Sequence, residues 1–156
     1  MTNTKQDIWY EWLLRRRFGD DPARTKATLD FLAPIRDKVL ENARFSNGET
    51  LLDVGCGDGL IALRALERTR TSKVIFLDIS QDLLDHAQAA VGWMGDLFRT
   101  SFVCASADDL SQIASGSVDV VTTRSVLIYV ADKAQCFREF YRVLKPGGRI
   151  SLFEPI

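Results

Sequence analysis

The sequence predicts an α/β fold, a three-layer αβα sandwich with a mainly parallel sheet and additional N-terminal helices. Apolar, β-prone segments alternate along the chain with segments whose apolar residues recur at helical spacing. The first of these strands, at residues 51–54, runs directly into a glycine-rich turn and then a helix. A chain of 156 residues with 46% hydrophobic content is long enough for one domain with a sizeable core. Repeated strand–helix units of this kind form parallel sheets with right-handed crossovers.

Two helices are predicted before the first strand. Residues 5–18 carry apolar side chains at helical spacing and include arginines at 15–17, which suit the negative end of a helix dipole. This segment is either a lid over a ligand or a phosphate-contacting patch, or else a packed helix with a solvated basic end. Asp21 should cap a second helix with Pro22 at its first position, and Pro34 should kink or split that helix.

The stretch at residues 51–60 is the most informative part of the chain. Gly55, Gly57 and Gly59 stand at alternate positions between an apolar strand and a helix. Such a turn presents backbone N–H groups at a helix N-terminus and lets a ligand approach without meeting a Cβ. A tight turn that binds no ligand is the alternative interpretation of a glycine triplet taken by itself.

The remaining elements follow the same alternation. Trp93, Met94, Leu97 and Phe98 form an apolar stretch that we expect to pack in the core, with a helix end or a pocket wall as the alternative. The last predicted helix runs from a cap at Asp132 to Leu144. The later strands are predicted at 73–78, 100–104, 117–121 and 149–153, and Ser80 is the predicted cap of the helix after the second strand.

Composition excludes several classes of protein. The formal net charge of −1 gives no reason to expect a nucleic-acid partner. Three widely spaced cysteines form neither a disulfide framework nor a metal-ligand pattern, so we expect no metal and a cytoplasmic location. No apolar run approaches about 18 residues, and the first residues lack the apolar region of a signal peptide.

Several motifs together resemble class I S-adenosylmethionine (SAM) dependent methyltransferases, similar to those of quinone biosynthesis. Asp53 precedes the glycine turn, Asp78 ends the second strand, residues 117–121 resemble the fourth strand, and residues 142–149 match the turn into the fifth. The resemblance implies a Rossmann-like sheet of order 3-2-1-4-5, with residues 46–156 as the SAM-binding core and residues 1–45 as a helical cap. The family's terminal antiparallel hairpin is missing here, so we expect a truncated core. Its open fifth strand could be covered by a dimer partner or another chain.

The same resemblance implies a set of cofactor-binding positions. Asp78 would bind the ribose hydroxyls and Ile79 would pack on adenine. The family commonly has an acid where this chain has Ser106, so the adenine contact must be weaker or come from Asp108 or Asp109. The complete set of implied SAM-binding residues is Asp53, Gly55, Cys56, Gly57, Asp78, Ile79, Ala107, Asp108 and Arg124.

The resemblance implies methyl transfer from SAM to a small-molecule acceptor by in-line displacement. Arg124, Ser125 and Tyr129 are candidates to face the methyl group, and Arg24 is a candidate contact for the SAM carboxylate. The alternative is a non-catalytic SAM-binding or regulatory module completed by a partner chain. A nicotinamide-dependent oxidoreductase is disfavoured because Leu60 stands where the last glycine of a dinucleotide motif belongs.

Overall fold

The computed structural model describes residues 6–17, 19 and 21–155 and shows five parallel strands between two helical layers. The strand order is β3-β2-β1-β4-β5, as the family resemblance implied. The strands are β1 (Thr50–Val54), β2 (Lys73–Asp78), β3 (Thr100–Cys104), β4 (Val118–Arg124) and β5 (Leu144–Phe153).

The helices divide between the two faces of the sheet. Clusters of buried side chains place α2, α3 and α4 on one face, and α5 with the loop at residues 105–117 on the other. The helices are α1 (Ile8–Tyr10), which continues as a π-helical turn (Glu11–Arg17), α2 (Pro22–Ala43), α3 (Leu60–Arg68), α4 (Gln81–Met94) and α5 (Lys133–Val143), with short 3-10 turns at Leu97–Arg99 and Leu127–Tyr129.

The predicted helix caps are present. Asp21, Ser80 and Asp132 each accept a hydrogen bond from a backbone N–H in the first turn of the following helix. These bonds satisfy donors that the helix cannot pair internally. Local capping chemistry therefore determines where three of the helices begin.

Pro34 was expected to kink or split α2, and the helix is not split, because buried Leu32 and Val39 anchor it on both sides of the proline. Two other expectations about the elements were wrong. The apolar stretch at the end of α4 and in the 3-10 turn after it is not core, since Trp93 is 93% exposed and Phe98 is 82% exposed. Finally, the last helix ends at Val143, and β5 begins directly at Leu144 rather than at residue 149.

Long-range hydrogen bonds attach α2 to the last strand. Ser151 Oγ donates to the carbonyl of Val39 at 2.7 Å, and Arg149 Nε donates to the carbonyl of Ala43 at 2.7 Å. The Arg149 guanidinium also bonds the Glu49 carboxylate at 2.6 Å. These contacts fix the end of α2 against β5, beside the strands that carry the glycine turn.

Candidate cofactor-binding site

A cavity of about 630 Å³ opens at the carboxyl ends of β1, β2 and β4. It lies between β1 and β4, the neighbouring strands whose following connections run on opposite faces of the sheet, which is where open α/β sheets bind ligands. All nine residues in the cofactor set predicted from the sequence line this cavity, and so do Ser125 and Tyr129. The fold therefore brings together positions that are up to 76 residues apart in the chain, Asp53 and Tyr129.

The glycine turn forms the floor of the cavity. Gly55, Gly57 and Gly59 all have positive φ, at 67°, 56° and 91°. A Cβ on Gly55 would stand 2.2 Å from a methyl carbon of Val126, and one on Gly57 would stand 3.0 Å from Leu13. The turn thus needs glycine both for its backbone conformation and for its close packing.

The Asp78 carboxylate lies at the end of β2, beside the glycine turn. It is buried, and it accepts hydrogen bonds from the backbone N–H groups of Gly57 at 2.8 Å and Ser80 at 2.9 Å. Burial raises the pKa of Asp78 above its usual value, and these backbone N–H groups act in the opposite direction. A carboxylate offers about four lone-pair positions, so acceptor capacity remains on the side facing the cavity.

Asp53 lies deeper, beneath the turn. Its carboxylate accepts a hydrogen bond from the hydroxyl of Thr122 at 2.8 Å, across the β1–β4 pair. Burial raises the pKa of Asp53 to about 7, and the negative charge of Asp78 acts in the same direction. The nearby Arg124 cation and the Thr122 hydrogen bond oppose that rise. Asp53 therefore connects β1 to β4 as well as lining the cavity.

One wall comes from β2 and the loop after β3. Ile79 lines it together with Ala105, Ala107 and Asp108. The Ser106 hydroxyl donates to Asp108 at 2.5 Å, so the two residues form one polar unit at the cavity edge. Asp109, the other acid considered from the sequence, lies outside this lining and accepts a hydrogen bond from Ser111.

The opposite wall is the turn after β4, and its shape depends on Glu154. Ser125 has a φ of 56°, which is uncommon for a residue other than glycine. One oxygen of Glu154 accepts hydrogen bonds from the N–H groups of Val126 at 2.9 Å and Leu127 at 3.2 Å. Ser125 N–H donates to the carbonyl of Phe153. The end of β5 thus holds the turn that carries Tyr129.

The N-terminal segment contributes side chains to the cavity wall. Trp9, Trp12 and Leu13 line it, and the Trp9 ring meets Tyr129 edge-to-face with centroids 5.1 Å apart. Asp7 caps α1 and accepts a hydrogen bond from the Ser80 hydroxyl at 2.5 Å, at the start of α4. The described part of this segment, residues 6–17, thus lies at the cavity, as the lid interpretation of residues 5–18 expects.

Other N-terminal residues considered from the sequence are not brought to the site. Arg15 pairs with Glu11 at 2.9 Å on the exposed surface. The exposed Arg24 is not among the residues that line the cavity. Phe18 and the side chains at positions 16 and 17 lie outside the described residues.

Sequence reasoning named Tyr129 as a site candidate but did not single out the other aromatic residues of the cavity. Trp9, Trp12 and Phe31 line the cavity, although apolar residues at helical spacing indicate core packing as readily as a ligand site. Burial raises the pKa of the Cys56 thiol well above its usual value, which disfavours a role for this thiol as a nucleophile.

Metal-ligating clusters and membrane-spanning helices are both absent from the residues that the structure describes. No group of three or more potential metal-ligating side chains is present among those residues. None of their helices combines the length and apolar character that crossing a membrane requires.

The glycine turn, the acid that ends β2 and the sheet order are typical of Rossmann-like proteins that bind nucleotide-type ligands. Comparison with known families agrees: residues 52–152 match the model of the methyltransferase domain. The chain belongs to this family of SAM-dependent methyltransferases.

Several curated relatives are methyltransferases with different acceptors. A malonyl-[acyl-carrier protein] O-methyltransferase from Methylovorus sp. is 32% identical over 86% of this chain and 47% of its own length. A ubiquinone biosynthesis O-methyltransferase from Neisseria meningitidis is 29% identical over 79% of this chain and 51% of its own. A tRNA 5-carboxymethoxyuridine methyltransferase from Escherichia coli is 32% identical over 65% of this chain and 38% of its own.

A solved structure shares the fold. Geranyl diphosphate C-methyltransferase from Streptomyces coelicolor, in complex with S-adenosyl-L-homocysteine, matches with a TM-score of 0.75 at 23% identity, over 88% of this chain and 51% of its own. At that identity the likeness establishes the fold alone. The chain spans between about a third and a half of the length of the curated relatives named above.

Proposed function

We propose that this chain binds SAM in the cavity and transfers its methyl group to a small-molecule acceptor. The observation that carries the proposal is the juxtaposition of the glycine turn and the Asp78 carboxylate at the carboxyl ends of β1 and β2. The proposal includes the nine predicted cofactor residues as the binding set. It also treats residues 1–45 as a cap on the core that begins at residue 46.

The residues present suit the parts of SAM. Asp78 offers a buried acceptor to the ribose hydroxyls, and Ile79 offers an apolar surface to adenine. The glycine turn gives space for the amino-acid end, because side chains there would fill the floor. Arg124 is the cation in the described lining that can pair with the amino-acid carboxylate.

Bound SAM supplies a methyl group on a positively charged sulfur, already activated for displacement. The protein's task is then to align an acceptor with the methyl carbon and to exclude water, and positioning of this kind can contribute ~7–11 kcal/mol. The turn that carries Ser125 and Tyr129 faces the cavity and is held in place by Glu154. A base is required only where the acceptor must lose a proton.

The exposed edge of the sheet belongs to the same proposal. Ile150, Leu152 and Phe153 on β5 are each more than a third exposed, and β5 forms one edge of the five described strands. An edge strand offers unpaired backbone groups to a partner. We therefore propose that a second copy or another chain covers this edge. We also propose a cytoplasmic location.

The test separates binding from turnover. We expect SAM and S-adenosylhomocysteine to bind in calorimetry at a 1:1 ratio, and we expect NADH not to bind. Transfer of labelled methyl from SAM to small molecules in an extract would support the enzymatic part. Binding of NADH without SAM would refute the proposal, and SAM binding without any transfer would refute its catalytic half.

A further inference from the structure

Four large apolar side chains form a patch where α4 ends and the 3-10 turn follows. Trp93 and Phe98 are 93% and 82% exposed, and Met94 and Leu97 are 38% and 47% exposed. The last buried residue of α4 is Val91. Since successive residues of a helix are about 100° apart, Trp93 lies about 200° around the helix from Val91. The core of the protein therefore does not cover this apolar patch.

The Arg99 guanidinium holds the apolar patch in place. It is buried, and it donates to both oxygens of the Asp96 carboxylate, at 2.8 Å and 2.9 Å. It also donates to the carbonyl of Leu66, near the end of α3, at 2.8 Å and to that of Ser72, in the next loop, at 3.4 Å. The turn that carries part of the apolar patch is thus fastened beside the loop that follows α3.

That loop and its flanks carry positive charge. Residues 68–73 contain no acid and three exposed cations, Arg68, Arg70 and Lys73. Among the described residues, no acid forms a salt bridge with any of these three side chains. The acids that adjoin the two segments in the chain, Glu67 and Asp96, are each paired with another arginine. The protein has a net charge of −1, so this basic cluster is a local feature.

The apolar patch and the basic cluster lie at the end of the sheet where the strands begin. Val74 of β2 pairs with Thr100 of β3, so Lys73 and Arg99 stand beside each other at the starts of neighbouring strands. The cavity opens at the carboxyl ends of the strands, which is the opposite end. A flat surface that meets the apolar patch therefore leaves the cavity uncovered.

We propose that the apolar patch and the basic cluster dock this protein on an anionic lipid bilayer. Tryptophan is favoured at membrane interfaces, because its ring is apolar and its N–H can bond to polar headgroups. The side chains of Met94 and Leu97 add apolar area that suits lipid, whereas single-stranded RNA is bound by rings on which its bases stack. Apolar burial and attraction of cations to anionic lipids add together in attachment of this kind.

This attachment lies at the bilayer surface and requires no membrane-spanning helix. It does not depend on the proposed function, because neither the apolar patch nor the basic cluster belongs to the lining of the cavity. The two proposals can therefore fail separately.

Co-sedimentation with vesicles over a range of lipid concentrations tests the docking. The probes are vesicles of phosphatidylcholine mixed with phosphatidylglycerol and, for comparison, vesicles of phosphatidylcholine alone. We expect the affinity for the anionic vesicles to be about tenfold higher or more, and to fall as the salt concentration rises. Equal affinity for the two kinds of vesicle, or no binding to either, would overturn the inference.

Two double variants separate the apolar and the charged contributions. Trp93→Ala with Phe98→Ala should weaken binding to anionic vesicles about tenfold or more, because two large side chains no longer enter the lipid. Arg68→Gln with Arg70→Gln should weaken it up to about 25-fold, since each cation near an anionic surface contributes about fivefold. Tyr141→Ala is the matched control, because Tyr141 is 83% exposed on α5, on the other face of the sheet. An equal loss of binding in this control would contradict the assigned surface.

Folding and other partners are measured on the same proteins. The substituted side chains are exposed, so the midpoints of urea unfolding should stay at the wild-type value. Binding to single-stranded polyuridine without binding to vesicles would show an RNA-binding surface and refute the proposal. Dimerisation that the Trp93→Ala, Phe98→Ala variant abolishes, again without vesicle binding, would show that a second copy covers the apolar patch and would refute it as well.

Discussion

Replacing Asp78 with alanine tests the part of the cavity on which the SAM assignment depends. The carboxylate is 8% exposed, so its hydrogen bonds to a ligand form largely out of competition with water. Hydrogen bonds to a charged group contribute about 1–3 kcal/mol. Loss of the ribose contacts should therefore weaken S-adenosylhomocysteine binding about 5- to 150-fold. Isothermal calorimetry at constant pH and salt measures the change.

The same substitution removes two internal contacts, so its effect on folding must be measured as well. Asp78 holds the N–H groups of Gly57 and Ser80, and each becomes unpaired in the alanine variant. Asp78→Asn keeps one carbonyl oxygen and should lose less stability in urea unfolding. Asp85→Ala is the matched control, because this exposed acid on α4 bonds Gln81 outside the cavity. Wild-type affinity in a folded Asp78→Ala variant would remove this residue from the site.

Three further predictions concern the turn, its support and the buried acid beneath it. Gly55→Ala should destabilise the protein by about 1–3 kcal/mol in urea unfolding, because φ is 67° and the new methyl would lie 2.2 Å from Val126. An unchanged midpoint would show that the turn can relax. Glu154→Ala should lower the free energy of unfolding by about 1–3 kcal/mol, because the N–H groups of Val126 and Leu127 lose their acceptor. Glu154→Gln keeps a carbonyl oxygen and should lower the free energy of unfolding less. Thermal unfolding compares the two variants. Burial raises the pKa of Asp53 in the folded protein to about 7, above the value of about 3.9 in an unfolded chain. Between these two pH values the folded state binds one more proton than the unfolded state. The free energy of unfolding therefore falls as pH rises from about 4 to 7. Asp53→Asn should flatten this slope, which reaches about 1.4 kcal/mol per pH unit at most, and identical slopes in urea titrations would contradict the assignment.

The sequence predicts the cofactor side of the cavity well because the signals there are local. Glycines at alternate positions require a turn, and an acid at the end of a predicted strand must lie beside it in a parallel sheet. The structure accordingly places Gly55, Gly57 and Asp78 within one hydrogen-bonded unit. Cap residues such as Ser80 are equally local, because they bond to the chain three residues ahead.

The remaining walls could not be predicted because they depend on contacts between distant segments. Nothing near Glu154 in the sequence indicates that it holds the N–H of Val126, which is 28 residues away. Helical periodicity marks apolar positions but does not show which face meets the core. It therefore gave the same expectation for Trp93, which is exposed to solvent, as for residues that do pack in the core.

The contacts between α2 and β5 bear on how the chain folds during synthesis. Ser151 reaches the carbonyl of Val39 across 112 positions, and Arg149 reaches Ala43 across 106. Contacts so far apart in sequence form late, since a long loop must close before they are made. The carboxyl end of α2 thus emerges from the ribosome well before its partner strand is made. Until then, the apolar residues of α2 can pack only against elements made earlier, such as α3 and α4.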